Sequence, residues 1–312
     1  ILTLRSDSLQ LFIIGNGFDR AHDLPTTYWD FRTYLQQMYP EFLYSFEEEY
    51  YIYPSWDDEA KKTMLWNELE TNLANISEEV IIEQAVSIDM GLEGGDVGIE
   101  DTFYYYLTDK YKYIALLAKY MKQWVRTIRI RDLPIKTSLI NSSNDALYIT
   151  FNYTAVLERV YGIDVDRVIH IHGSLRQRDG DPVLGHGNKD RIEGIREKRY
   201  EAENLFSEKE ISICRVIEDY YNHTYKNISR YMPKLRLLSG ENVGEISVIG
   251  HSLAGVDIPY FRSIDELTQN TAKWKVYYRN CEDEERMKNS LSECGIDIER
   301  IEMLHSQKFF DL

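Results

Sequence analysis

Four short apolar runs in this chain each end in residues that could do chemistry. Leu11–Ile14 leads into Gly15-Asn16-Gly17 and then Phe18 and Asp19, and Ala146–Phe151 ends in Asn152-Tyr153. Arg167–Ile171 contains His170 and ends in His172-Gly173, while Glu245–Ile249 ends in Gly250-His251-Ser252-Leu253 with Asp257 close behind. An imidazole, with an ordinary pKa of about 6.5, can take or release a proton near neutral pH. An amide such as Asn152 can orient a water or a polar ligand without adding charge. Gly15 and Gly17 permit positive φ and close approach of a ligand to the backbone. A strand that ends this way and feeds a helix makes a cradle for a phosphate or a ribose.

The elements that must position these residues follow from hydrophobic spacing. The runs are short and β-favouring, as in the buried strands of a parallel sheet, and Trp274–Tyr278 and Glu299–Leu304 supply two more. Helical patterns separate several of them, at Ala155–Tyr161 and Ile192–Met232. Between the first and second runs the chain reads as helical. One pattern starts near Tyr28 behind Thr26 or Thr27 as a cap, one spans about 60–86, and one runs from Thr102 to about Arg129. Gly91, Gly94, Gly95 and Gly98 mark a loop among them. Strands alternating with helices predict an α/β fold, a Rossmann-like and mostly parallel sheet with helices on both faces. The reading is one α/β domain over 1–312, with a large helical insertion at about 28–140 and a second helical segment at about 190–240. In open sheets of this kind ligands bind outside the carboxyl ends of the strands, so four distant loops are expected to converge on one cleft.

Composition narrows the partners. With 36 basic against 52 acidic residues the net charge is -16, which repels nucleic acid because such binding rests on neutralising phosphates. Two basic groups, Arg126, Arg129 and Arg131 and then Arg191, Arg196, Lys198 and Arg199, read as solvated helix faces. Hydrophobic content of 43% and charged content of 28% describe a soluble globular protein. No apolar run approaches the roughly 18 residues that span a bilayer, and no signal peptide is visible. Cys214, Cys281 and Cys294 are isolated, which predicts a reducing compartment, the cytoplasm, and no zinc ribbon.

Each candidate residue also has a structural use. Asn152 can cap the helix expected from Ala155, and Asp19 can cap the first helix. His170 and His172 alternate along a strand and so point to opposite faces, which makes His170 the structural histidine of the pair. His186, in a glycine loop, either lines the site or is exposed, and His251 orients the late loop.

Taken together, these stretches resemble a known family. Gly15-Asn16-Gly17-Phe18-Asp19, followed by Leu24-Pro25-Thr26 and Phe31, is similar to the opening signature of the AbiH family of bacteriophage abortive-infection proteins. Trp66 with Glu70, Phe151-Asn152-Tyr153-Thr154, His170-Ile171-His172-Gly173-Ser174, and Gly250-His251-Ser252-Leu253 with Asp257 continue the resemblance. The motifs extend from residue 11 to about 261. A more remote resemblance links Gly15-Asn16-Gly17, Thr150-Phe151-Asn152-Tyr153, His172-Gly173 and Gly250-His251-Ser252 to sirtuins and sirtuin-like bacterial NAD hydrolases. Asn16 stands where those proteins carry a small Ala, Thr154 where they carry Asp, and no zinc-binding cysteine module is present. The resemblance therefore implies no lysine deacylation.

What the resemblance implies is an anti-phage protein that binds a nucleotide such as NAD, with NAD glycohydrolase as its candidate activity and no metal. Carried over, His172 is the general base and Asn152 holds the ribose or orients a water. Gly15, Asn16 and Gly17, with Phe18 and Asp19, and Ser252 with Asp257, bind the nucleotide. The implied partners are that nucleotide, a phage-derived trigger and a second copy of the chain, with no membrane and no nucleic acid. One alternative is a non-catalytic nucleotide sensor that acts through a partner. Another is a metal-dependent hydrolase or nuclease using His170 and His172 with His186, His251 or Asp257. Alternation, which aims only one histidine of the pair into a given cleft, and the acidic charge weigh against the latter.

Overall fold

The computed structural model describes residues 8–78, 81, 114–140 and 145–310. The glycine-marked loop at 91–98, the pattern before Ile114 and residues 79, 80 and 82–86 of the 60–86 pattern lie outside them. The chain divides into two compact units, one of 1–27, 122–183 and 227–312, the other of 28–121 and 184–226.

The first unit is built on six strands, β1 (Leu9–Ile14), β2 (Ala146–Thr150), β3 (Val168–His170), β4 (Val243–Ile249), β5 (Lys273–Tyr278) and β6 (Ile301–His305). They form one sheet in the order β3-β2-β1-β4-β5-β6, and every neighbouring pair is parallel. All six follow runs read from the sequence; the central strands are apolar at odd and even positions alike because both their faces are covered, whereas β6 is only half-buried. Leu11 and Ile13 of β1 join one core with Ile149, Ile246 and Trp274, closed by Tyr260, Phe261 and Ile264 of the helix Ile258–Leu267 and by Met287 and Leu291 of Cys281–Glu293. Phe12 and Ile14 join the opposite core with Tyr148, Val156, Leu157 and Phe18. This is the strand order of doubly wound dinucleotide-binding sheets, in which chain order reverses between the two central strands, here β1 and β4.

The second unit is helical. Its described helices are Tyr28–Met38, Pro40–Glu48, Asp58–Met64, Leu69–Asn72, Lys189–Asn204 and Glu208–Thr224, with Ile114–Thr127 leading from it into the first unit. The single helix expected from residue 60 breaks at Leu65, whose φ is -136. Beyond the break Trp66 is buried and donates from Nε1 to Glu47 Oε1 (2.8 Å), a carboxylate that also holds Arg32 through two bonds of 2.6 and 3.0 Å. Glu70 pairs with the fully buried Lys226 at 2.7 Å. Trp66 and Glu70, read from the sequence as motif residues, thus each meet a charged partner inside this unit. Breaking a buried ion pair such as Glu70–Lys226 is costly.

Candidate active site at the strand ends

β1 and β4 end side by side, and their loops interlock. Gly15 N–H donates to Ile249 O (2.9 Å) and Gly17 N–H to Gly250 O (2.7 Å). A Cβ on Gly15 would lie 2.6 Å from the Gly250 carbonyl oxygen, and one on Gly17 would lie 2.7 Å from Gly250 Cα. Gly250 has φ +67, and a Cβ there would meet Phe18 N at 2.3 Å. The three glycines are required by this backbone contact. β4's loop occupies the space that side chains at Gly15 and Gly17 would need. Leu253, buried in the same loop, has φ +53, a conformation uncommon for a residue with a side chain and frequent where structure serves a site.

Asp19 and Asn152 are joined across the first two strand ends. The Asn152 amide donates from Nδ2 to Gly15 O (3.1 Å) and to Asp19 Oδ1 (2.9 Å), and Thr154 Oγ1 donates to Asp19 Oδ2 (2.6 Å). Neither residue caps a helix. Asn16–Ala21 has Gly15 at its N-cap and Val156–Val160 has Ala155, both without a side-chain cap bond, because the two polar side chains are committed to each other. Burial raises the Asp19 carboxyl to about 6, against the lowering effect of the Thr154 and Asn152 hydrogen bonds. With both Asn152 N–H groups used, its Oδ1 is left to accept from a ligand or water; two acceptors on the Nδ2 side fix that orientation.

His170 belongs to a separate buried cluster. Its Nδ1 lies 3.0 Å from Asn152 O and its Nε2 3.0 Å from Glu158 Oε1. Burial would raise Glu158, but the bond with His170 and the charges of His170 and Arg176 hold its carboxyl below the usual range. Arg176 bridges Glu158 (2.8 Å) to Asp179 (2.7 Å).

His172 faces elsewhere. Its Nε2 is 3.4 Å from Asp257 Oδ1, while His251 Nε2 is 3.4 Å from Asp257 Oδ2, so one carboxylate lies between two imidazoles. Phe151 packs edge-on against both rings, and Tyr260 packs against His172. His251 Nδ1 accepts from Leu253 N–H (2.9 Å), so in its neutral form the proton sits on Nε2 and points to Asp257. Asp257 is placed to stabilise an imidazolium at His172, and catalytic contacts are often this long before a substrate tightens them. Asp257, read from the sequence as a nucleotide-binding residue, instead faces the two histidines.

The remaining candidates lie as follows. Asn16 is exposed, with its amide on Thr26 O (2.9 Å), and Ser252 is exposed on the β4 loop. The Phe18 side chain is fully buried among His22, Tyr161, Phe309 and Phe310, so packing rather than ligand contact uses it. His186 lies in the second unit and is buried, not exposed. It accepts from Asn188 N–H and lies 3.1 Å from Tyr221 O, and burial lowers it to about 4, leaving it neutral. Among the described residues no group of three or more His, Cys, Asp or Glu could hold a metal ion.

Sequence reasoning missed Lys234. Its Nζ donates to the carbonyls of His170 (2.6 Å), Ile171 (2.9 Å) and Asp179 (3.0 Å), which saturates the ammonium and pins the turn that carries His172. No local pattern marks this lysine. Lys234→Met is expected to lower stability by about 1.5–3 kcal/mol, the scale of hydrogen bonds made by a charged group. Urea unfolding checks this, and an unchanged midpoint would mean the turn holds without it.

Fold and site together define an α/β protein with a polar cluster at the carboxyl ends of its central strands. The family model of bacteriophage abortive infection AbiH matches residues 11–278. The chain belongs to the AbiH family, which points to a role in phage abortive infection. A comparison with curated proteins gives no match. No described helix is long and apolar enough to cross a membrane.

Proposed function

We propose that this protein acts in phage abortive infection by binding a nucleotide such as NAD at the ends of β1–β4 and hydrolysing its N-glycosidic bond. The observation that carries this reading is His172 paired with Asp257 on a loop next to the strand end that presents Asn152 Oδ1. In NAD the ribose is bonded to a cationic pyridinium, a good leaving group. The C1′–N bond breaks, nicotinamide departs neutral with the bonding electron pair, and water adds to C1′. The water's proton passes to His172, and Asp257 stabilises the resulting imidazolium. Asn152 Oδ1 accepts from a ribose hydroxyl or the attacking water. The chemistry requires no metal, because the leaving group already carries the positive charge.

Incubation of the purified chain with NAD, alone and with lysate of phage-infected cells, should release nicotinamide. Neither release nor binding under both conditions would end the catalytic reading. In a plaque assay, cells expressing the protein should yield fewer phage; an equal yield would end the defence reading.

A further inference from the structure

In a dinucleotide-binding sheet the glycine loop after the first strand grips the pyrophosphate, using backbone amides and the space left by missing side chains. Here much of both resources is used inside the protein. The amides of Gly15, Gly17 and Phe18 donate to Ile249 O, Gly250 O and Gly15 O. The open faces of Gly15 and Gly17 are filled by the backbone of Gly250 and His251. Gly173, the glycine behind His172, follows the same rule, since a Cβ there would lie 2.2 Å from the Asp181 carbonyl oxygen. Beside them the Asn152 side chain presents an acceptor, Oδ1, suited to a hydroxyl and repulsive to a phosphate. Two carboxylates, Glu158 and Asp179, sit in the adjoining His170 cluster, where Arg176 bridges them and Arg178 also reaches Asp179 at 3.7 Å, so their cations are already committed within the protein.

We infer that the site recognises its substrate at the N-ribosyl end and that the Gly15-Asn16-Gly17 loop does not hold a diphosphate, so the substrate class is pyridinium ribosides whatever lies beyond the 5′ carbon. This rests on the reading of the site as an N-glycosidic hydrolase. The test compares nicotinamide release from NAD, nicotinamide mononucleotide and nicotinamide riboside by the full chain, with ADP as competitor. The expected result is kcat/KM values within about tenfold of one another, and a rate on NAD that changes less than twofold with ADP at ten times the KM for NAD. A preference for NAD of a hundredfold or more, or competitive inhibition by ADP, would overturn the inference while leaving the hydrolase reading intact. If none of the three is cleaved, the hydrolase reading falls and calorimetry decides the inference. Binding of the mononucleotide without ADP supports it; binding of ADP, or of neither, overturns it.

Discussion

His172→Ala is expected to lower nicotinamide release from NAD by about 10²–10⁴-fold, the range general-base residues contribute. The imidazole is almost fully buried and meets Asp257 Oδ1, and Asp257 is already opposed by His251 on its other oxygen. Truncation removes the proton acceptor yet leaves Asp257 a partner, so the loop after β4 keeps its frame. His172→Gln, closer in volume and unable to accept a full proton, should fall almost as far with a smaller loss of stability. Thermal melts of both variants separate chemistry from folding. A rate within threefold of the parent in two folded variants would remove His172 from the mechanism. The same variants discriminate the two biological readings. A hydrolase loses phage restriction along with cleavage, whereas a nucleotide sensor keeps restriction as long as His172→Ala still binds NAD.

The sheet was legible because its central strands are buried on both faces, which forces continuous apolar runs, and even β3, only Val168–His170, is buried throughout. The residue types at the strand ends were legible for the same reason, since polarity returns where burial ends. Their partners were not. Asp19 and Asn152 look like caps to any local rule, yet each satisfies the other across 133 residues. Lys234 meets the carbonyls behind His172 from 64 residues away, and Trp66 breaks a helix that periodicity predicts by reaching Glu47. Local spacing reports which face is apolar, but long-range pairing of charges is settled only when the chain is folded. The glycines illustrate the same limit. Their spacing announced a close approach to the backbone, and the approaching group is the Gly250 loop of the chain itself.

Asp19→Asn is expected to remove a specific pH dependence of stability. The Asp19 carboxyl is raised from 3.8 to about 6 in the folded chain, chiefly by burial. Between these values the folded state keeps a proton that the unfolded chain gives up, so stability falls as pH rises from about 4 to 6 and stays lower above that. A shift of this size corresponds to roughly 2–3 kcal/mol. Asparagine can keep the local bonds, because its oxygen accepts from Asn152 Nδ2 and its amide can donate to Thr154 Oγ1, a hydroxyl free to reverse its role. It carries no buried charge at neutral pH. Other carboxylates, such as Glu158 and Asp179, are lowered on folding and give the opposite trend. The informative quantity is therefore the difference between parent and variant, measured by urea unfolding at intervals from pH 4 to 8. The variant should gain on the parent by about 2–3 kcal/mol across pH 4–7 and then hold level. A flat difference would mean that Asp19 stays ionised throughout, with the donors from Asn152 and Thr154 outweighing its burial.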